Sequence, residues 1–519
     1  MPDQSSCSLH YIFAATPAAS DIPPPPPGNR HPSHVSQGDQ RNSDASAPDA
    51  SVAVPPQKTW KAGTLTYTAG ALVVLFCWLL FGDFAWSMRE RSVGPIAHWY
   101  LNHLKIPNFY FALLLGTFPS LMGVIISPVI SVKSDRHRGR WGRRIPFLLV
   151  TTPIATFGMI GIAFTPMLSH WARTRFFPEQ SEMIVSVVCF GLFWTAFEFA
   201  TIAAHPVFNG LVNDVVPRPL LGRFYGLFRA VSLIDGVIFN YWIMGKVPDH
   251  FLLILCTIGV FYGCSFILVC LKIREGSYPP PPPPAMAKKK TVATPGDGGG
   301  VARPGAALRF FYEAKRYCRE CFMNPYYLLV FLFLKVAMMS FGPINTFAIP
   351  YARSLGVSMD TYGKCLSLSF TISLCLAWFL GWAADFFHPL RMALGSLLCY
   401  VGVTIFGALY ATTPGAFVTA YVAHCIISGC YYTSAASLAQ RLFPHTRFAQ
   451  FSSAAGICTA AANMTLGPLV GLLIDQTGGV FRHTFIVASG ITGAALVTGF
   501  FVHRKFMKLG GPKSYVAPE

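Results

Sequence analysis

Charged residues are scarce in this sequence. Asp, Glu, Lys and Arg together make up 12% of its 519 residues, whereas hydrophobic residues make up 53%. Soluble domains usually contain about a quarter charged residues. Acidic residues are fewer than basic residues: the sequence contains 22 Asp and Glu against 40 Lys and Arg. This composition excludes an ordinary soluble protein and indicates that most of the chain lies in a membrane.

Signatures of several function classes are also absent from the sequence. It contains no phosphate-binding Walker loop, no HExxH zinc motif, no nucleophile elbow and no zinc-finger spacing. We therefore expect neither an enzyme nor a bound cofactor or metal. The 14 cysteines are scattered, mostly singly and within apolar stretches, which predicts no disulfide framework. The N-terminus lacks the basic start and short apolar core of a cleavable signal peptide, so the first membrane span would direct insertion.

Long apolar stretches recur from Leu65 almost to the C-terminus. A helix needs roughly 20 apolar residues to cross a bilayer, and these stretches reach that length. We predict an all-α membrane protein with twelve transmembrane helices in two halves of six. Predicted helices I to XII cover residues 65–88, 109–132, 145–166, 183–210, 224–245, 250–272, 326–351, 361–384, 391–412, 416–437, 450–475 and 482–503.

The basic residues follow a topological pattern. Every even-numbered helix leads into a segment that contains Lys or Arg, above all at 133–144 and 272–319. Because basic loops stay on the cytoplasmic side, both termini and the central connection are predicted to be cytoplasmic. The pattern also accounts for the net charge of +18 without a nucleic-acid partner. We expect an integral protein of a plasma membrane or a bacterial inner membrane.

Two low-complexity segments divide the chain. Residues 1–58 contain a run of prolines among polar residues, and 273–325 contain runs of proline, lysine and glycine. Such compositions do not pack a core. We predict a disordered cytoplasmic tail at 1–58, six-helix halves at 59–272 and 326–504, and a cytoplasmic C-terminal tail at 505–519. The connection at 273–325 is predicted to be a flexible linker with an interfacial helix near 307–321.

The two halves carry weakly matching sequences. The end of helix II reads Ser134-Asp135-Arg136, and the end of helix VIII carries Asp385 and Arg391. Similar proline-containing segments follow helices IV and X. The shared order indicates duplication of a six-helix unit, which is common among transporters. A channel or receptor would not require it.

The loop between helices II and III carries the most specific motif, S-D-R-H-R-G-R-W-G-R-R-I-P-F at 134–147. The positive-inside rule requires the basic residues of this motif but not its aspartate, its second glycine or its proline. The motif resembles the helix II–III loop of the major facilitator superfamily. Its form is similar to that of the glycoside–pentoside–hexuronide sugar symporters and the related sucrose–proton symporters.

The resemblance implies the major facilitator fold over all twelve helices and a gating role for the loop. An aspartate beside several guanidinium groups can pair with the opposite half in one state and release it in another. The residues assigned to the gate are Asp135, Arg136, Arg140, Gly142, Arg143 and Arg144, with Asp385 and Arg391 in the second half.

Four ionisable residues stand out inside the predicted spans: Asp83, Glu198, Asp235 and Lys335. A central Asp or Lys costs roughly 2.5–3.5 kcal/mol on insertion scales and marks a functional site by default. Asp83 is predicted to lie late in helix I, toward the outer half. Glu198 lies near the middle of helix IV, where helical spacing places it on one polar face with Trp194, Thr201, His205 and Asn209.

We assign substrate binding to Asp83, Trp194, Glu198, Thr201 and Lys335. Carboxylates and aromatic rings are the groups that commonly hold sugar hydroxyls and ring faces. Proton coupling is assigned to Glu198, Asp235 and Arg229. One alternative stays open, in which Asp235 with Arg229, or Glu198 with Lys335, are buried pairs that only hold helices together.

The family resemblance supports two of these assignments and weakens another. In melibiose-permease-like members, one carboxylate on helix I and one on helix IV hold the sugar, and Asp83 and Glu198 occupy comparable helices. The two helix II aspartates that hold the coupling cation in those members correspond to Gly123 and Ser127 here. Sodium coupling by that route is therefore not expected.

The sequence thus predicts a secondary active transporter that moves a sugar or glycoside by alternating access, as a monomer. Protons are the predicted coupling ion, because a buried carboxylate readily takes up a proton. One alternative is a major facilitator transporter of another small molecule, such as a drug or an organic anion bound by Lys335 and Arg229. The other is a nutrient receptor that binds without transport.

Overall fold

The structure is a computed structural model that describes residues 59–277, 319, 321–444 and 448–518. The predicted tail at 1–58 and most of the predicted linker, including nearly all of its interfacial helix, lie outside the described residues.

The described residues form twelve long helical segments. Two of them are interrupted: α2 by a π-helical turn at Leu113–Thr117 and α7 by a break after Met339. A second π-helical turn, Phe239–Ile243, follows α5 directly. The segments are α1 Ala69–His103, α2 Asn108–Arg136, α3 Ile145–Phe176, α4 Glu182–Val215, α5 Arg218–Ile238, α6 Val247–Lys272, α7 Pro325–Ser354, α8 Met359–Phe387, α9 Pro389–Tyr410, α10 Pro414–Ala435, α11 Phe448–Gln476 and α12 His483–Lys508.

Within the described part of the chain, nine helical stretches are long and apolar enough to cross a membrane. One of them, Arg218–Lys272, contains both α5 and α6. Helices α8 and α10 complete the set of twelve. The predicted all-α membrane fold with two halves of six helices is confirmed.

Local sequence explains where several helices begin. The hydroxyls of Ser181, Ser358 and Thr413 each accept a hydrogen bond from a backbone N–H in the first turn of α4, α8 and α10. Such caps satisfy donors that have no partner within the helix. Because α4, α8 and α10 all run in the same direction, these caps lie on one side of the membrane. We call this the distal side, and the side on which α1 begins and α12 ends the terminal side.

The end of α1 differs from the predicted end of helix I. The sequence placed that end at residue 88, before three charged residues, whereas α1 continues through them and through Pro95 to His103. Arg89 and the residues from Ser92 to Leu101 are buried. The helix tolerates the charges because they lie against protein instead of lipid.

A short hairpin precedes α1. The strands β1 (Trp60–Ala62) and β2 (Leu65–Tyr67) pair antiparallel through a turn at Gly63, whose φ is +56°. The hydroxyl of Thr64 accepts a hydrogen bond from the backbone N–H of Ser277, at 2.8 Å. The hairpin therefore packs beside the segment that follows α6.

Among the described residues, the hydrogen bonds and closest backbone approaches between the two halves lie on the distal side. A β-carbon on Gly471 of α11 would stand 2.5 Å from the backbone oxygen of Asn108 in α2. A β-carbon on Gly363 of α8 would stand 2.2 Å from the backbone oxygen of Asn240, just after α5. The Thr117 hydroxyl of α2 donates to the backbone oxygen of Met464 at 2.7 Å. These glycines let the backbones touch, and the protein is in a conformation closed on the distal side.

Candidate functional site

The predicted gate loop forms a charged clamp within the first half. Arg143 donates from Nε to Asp214 of α4 at 2.9 Å, and Arg144 donates from Nε to the same carboxylate at 3.3 Å. Arg144 also donates to the Ser134 hydroxyl at 2.7 Å and to the Asp135 carboxylate. The clamp therefore ties α2, α3 and α4 together on the terminal side.

A carboxylate from beyond α6 closes the same clamp. Glu275 accepts hydrogen bonds from three successive backbone N–H groups at the start of α3, those of Arg143, Arg144 and Ile145, at 2.8–2.9 Å. Gly142 has φ +99°, and a β-carbon there would stand 2.6 Å from the Glu275 carboxyl carbon. The glycine of the motif thus makes room for the carboxylate that caps α3.

The pairing of Asp135 with the opposite half is predicted for only one conformational state. In this conformation its carboxylate binds Arg144 of the same half. Arg136 and Arg140 are exposed, and Arg140 lines a cavity of about 620 Å³ between the loop and residues 270–277. The gating role of these residues stays a prediction.

The corresponding position in the second half is organised differently. The side chain of Asp385 lies outside the described residues, and Arg391 contacts the Met507 sulfur at 3.7 Å. Between α8 and α9, His388 adopts φ +77°, and its ring accepts a hydrogen bond from the Leu390 N–H at 3.2 Å. Burial, together with the nearby positive charges of Arg441 and Arg391, lowers the pKa of His388 to about 4. The neutral ring serves as the cap of α9.

Inside the membrane, the structure brings Asp83 of α1 and Asp235 of α5 within electrostatic range of each other. Asp235 is fully buried, and neither of its carboxylate oxygens has a hydrogen-bond partner among the described residues. Arg91 of α1 donates to Ser232 of α5 at 2.9 Å, one helical turn from Asp235, and lies 5.0 Å from the ring centre of Phe370 in α8. This group therefore lies at the contact between the halves.

The predicted depth of Asp83 is wrong. Asp83 lies 14 positions from Ala69 and 20 from His103, so it belongs to the terminal half of α1 and not the distal half. The error follows from the early end that was predicted for helix I. Glu198, by contrast, lies 16 positions from Glu182 and 17 from Val215, near the middle of α4 as predicted.

The residues on the polar face of α4 are all buried or partly buried. Trp194 and Thr201 are buried, and Glu198, His205 and Asn209 are partly buried. The Thr201 hydroxyl donates to the backbone oxygen of Glu198 at 3.1 Å. Arg229, one of the predicted coupling residues, lies partly buried on α5, on the terminal side of Asp235.

Lys335 of α7 is buried and donates from Nζ to the hydroxyl of Thr459 in α11. No carboxylate of the described residues lies within 4 Å of Nζ, so the ammonium group has no counter-ion there. Nearby, the ring of His424 bridges the Tyr400 hydroxyl at 2.8 Å and the Asn345 amide oxygen at 2.9 Å. This network lies next to the break in α7.

The sequence reasoning missed a buried arginine on α1. The guanidinium carbon of Arg89 lies 4.1 Å from the ring centre of Trp86, 5.2 Å from that of Tyr262 in α6 and 5.8 Å from that of Phe197 in α4. The signal was present, because the ten residues after Arg91 are largely apolar and could have extended the helix. The local run of three charges concealed it.

Comparison with known families matches the chain in two parts. A family model described as MFS/sugar transport protein matches residues 67–313, and one described as Major Facilitator Superfamily matches residues 328–514.

Individual relatives match over short segments. Human "Solute carrier family 45 member 4" is 31% identical over 103 residues, which is 20% of this chain and 13% of that protein. Mouse "Membrane-associated transporter protein" is 27% identical over 123 residues, 23% of this chain and 22% of that protein. The matches thus span less than a quarter of the relatives' own lengths.

Solved structures show the same fold at low sequence identity. The peptide transporter POT in complex with sulfate has a TM-score of 0.57 at 16% identity, and the match covers 84% of this chain and 95% of that protein. A bacterial homolog of the human lysosomal transporter Spinster, in an inward-facing conformation, has a TM-score of 0.57 at 14% identity, and the match covers 86% of this chain and 98% of that protein. The D-xylose-proton symporter has a TM-score of 0.54 at 12% identity, covering 86% and 97%. The chain therefore has the major facilitator fold, and each of its halves matches a family model of that type.

Proposed function

We propose that the protein is a secondary active transporter that carries a sugar or glycoside by alternating access, with protons as the coupling ion. It works as a monomer, with its terminal side in the cytoplasm of a plasma membrane or a bacterial inner membrane. The substrate site lies in the cleft between the halves and draws on Asp83, Trp194, Glu198, Thr201 and Lys335.

Asp235 carries this proposal. Its carboxylate is buried without a hydrogen-bond partner in the described structure, and the charged form of such a group is costly. A β-carbon on the next residue, Gly236, would stand 2.8 Å from the Phe370 ring of α8. Asp235 therefore lies at a contact that has to separate when the distal side opens. A group that holds a proton when buried and releases it when the halves part couples proton movement to alternating access.

Uptake into proteoliposomes tests the proposal. With an inward proton gradient, the wild type should accumulate a labelled sugar from a panel that also contains nucleosides, peptides and organic anions. Asp235→Asn should abolish accumulation and retain exchange of substrate across the membrane. An inward sodium gradient with clamped pH should drive no accumulation. Sodium-driven uptake that survives Glu198→Gln would overturn both the coupling ion and the assigned site.

The binding role of Glu198 and Asp83 has its own measurement. Replacing either carboxylate by its amide keeps the size of the side chain and removes the charge. We expect sugar binding to weaken by about 1.5–3 kcal/mol per lost charged hydrogen bond. Unchanged equilibrium binding in both variants would remove these residues from the site.

A second cargo class is favoured by one observation. Lys335 is buried without a carboxylate partner in the described residues, and an uncompensated ammonium group can bind an anion. If organic anions accumulate and neutral sugars do not, the protein is an anion transporter with the same fold. Saturable binding of a sugar without any flux would instead identify a receptor.

A further inference from the structure

We propose that Arg89, Tyr262 and Trp194 form a binding subsite for an oxyanion inside the first half of the protein. The ligand is the carboxylate of an acidic substrate or a free small anion, and the substrate alternative rests on the proposed transport function.

Arg89 is a cation without a counter-ion. Its side chain keeps only 4% of its surface exposed, and within the described chain no hydrogen bond or ion pair holds the guanidinium group. Nε is buried without a partner. Stacking on Trp86 satisfies the face of the guanidinium group but not its N–H donors, which lie in the plane of the group.

The neighbouring side chains supply further hydrogen-bond donors. The Trp194 indole N–H is buried without a hydrogen-bond partner in the described structure, and the Tyr262 hydroxyl is buried beside the side chain of Thr152. Tyr262 contacts Arg89 directly, at 5.2 Å from guanidinium carbon to ring centre. Trp194 packs against Phe197, whose ring centre lies 5.6 Å from that of Trp194 and 5.8 Å from the Arg89 guanidinium carbon.

This combination of groups selects the ligand by its chemistry. Arg and Trp donate hydrogen bonds and cannot accept them, and a tyrosine hydroxyl donates readily to a charged acceptor. The group most complementary to them is an anion with several oxygen acceptors, because a guanidinium binds it through two parallel bonds. Buried polar groups are normally paired, so the unpartnered N–H donors of Arg89 on α1 and Trp194 on α4 indicate a ligand.

Thermal unfolding of the purified full-length protein in detergent tests the subsite. The probes are acetate, gluconate and glucitol, titrated at constant ionic strength against chloride. Gluconate and glucitol share a hydroxylated chain and differ in the carboxylate. A saturable rise in Tm with gluconate at much lower concentration than with acetate supports the carboxylate of a substrate, and equal midpoints support a free small anion. Glucitol should give no saturable response.

Variants show which residues bind the anion that raises Tm. Arg89→Gln should abolish the saturable rise, and Arg89→Lys should raise its midpoint at least tenfold, because lysine cannot form two parallel bonds. Tyr262→Phe and Trp194→Phe each keep a ring and remove one donor, and each should raise the midpoint roughly tenfold. They keep the test valid if Arg89 variants fail to fold. Arg353→Gln is the matched control, since Arg353 also lies over a tryptophan but already donates to Asn102 at 3.0 Å.

Two results would overturn the subsite: no saturable response of the wild type to either anion, or a response that is unchanged in Arg89→Gln and Tyr262→Phe. Because binding is read in detergent, the outcome is independent of transport. Saturable anion binding that depends on Arg89, in a protein that moves no substrate, would remove the proposed function and leave the subsite. Transport of a neutral sugar by a protein without such anion binding would remove the subsite and leave the proposed function.

Discussion

Replacing Asp475 by alanine should release the two halves of the protein on the distal side. Asp475 lies near the end of α11, and its carboxylate accepts hydrogen bonds from the first residues of α2. The donors are the backbone N–H of Asn108 at 3.0 Å, the Asn108 side-chain amide at 2.8 Å and the backbone N–H of Phe109 at 2.9 Å. These bonds join the first half to the second and exist only while the distal side is closed.

The magnitude follows from the charge of the acceptor. A hydrogen bond to a charged group contributes about 1.5–3 kcal/mol, and the three adjacent donors share one partly buried carboxylate. Counted as one to two independent bonds, they stabilise the distally closed state by about 2–4 kcal/mol. Since 1.4 kcal/mol is a factor of ten, Asp475→Ala should shift the equilibrium toward distal opening by about 30-fold to several hundredfold. Asp475→Asn should cause a smaller shift.

Distances between spin labels measure this shift. Cysteines at Glu179 and Thr412 would place one label on each half, at exposed distal positions, in a background without other exposed cysteines. Glu182→Gln is the control, because its carboxylate pairs with Arg173 of the same half at 3.2 Å. An unchanged distance distribution in a folded Asp475→Ala protein would refute the idea that this contact holds the halves together.

Three further predictions concern other parts of the molecule. Gly142→Ala should displace the Glu275 carboxylate and strain a position with φ +99°, which should lower the stability of the protein by about 1–3 kcal/mol. The measurement is a fall in Tm, which Gly70→Ser, at an exposed position, should not cause. Asp235→Asn should leave Tm unchanged or higher, because neither oxygen of Asp235 has a partner to lose in the described structure, and a large fall in Tm would show a structural role. Tyr515→Phe should lower stability by about 1 kcal/mol, because its hydroxyl donates to the Leu442 backbone oxygen at 2.9 Å; an unchanged Tm would show that this contact adds no stability.

The helices themselves were predictable from the sequence because lipid imposes a simple rule. Each span needs a long apolar run with its backbone hydrogen bonds satisfied internally, and hydropathy reads that run directly. The rule fails at α1, where Arg89 and Arg91 look like the start of a loop. Arg89 packs against the Trp86 ring of α1 and the Tyr262 ring of α6, and Arg91 donates to Ser232 of α5. Tyr262 and Ser232 come from other helices, so these contacts cannot be read from local sequence.

The site was only partly predictable for a related reason. Charge inside a span identifies Asp83, Glu198, Asp235 and Lys335 as unusual, but the rotation of each helix decides which of them meet. That rotation is set by packing, as where Gly236 meets Phe370. The Glu275 cap on α3 joins residues about 130 positions apart, and no spacing in the sequence indicates that pairing.

The two carboxylate caps suggest how the ends of the molecule divide their roles. On the terminal side, Glu275 caps α3 within one half, so its bonds persist whichever way the cleft opens. On the distal side, Asp475 caps α2 from the other half, so its bonds have to break once in each cycle. A carboxylate cap therefore stabilises the rigid first half on the terminal side and the closed conformation on the distal side.

It follows that Glu275→Gln should lower Tm without changing the distance between the two distal spin labels, whereas Asp475→Asn should change that distance and affect Tm less. If both variants moved both quantities alike, the halves would not behave as separate rigid bodies, and the rocking motion that the proposed function requires would be excluded.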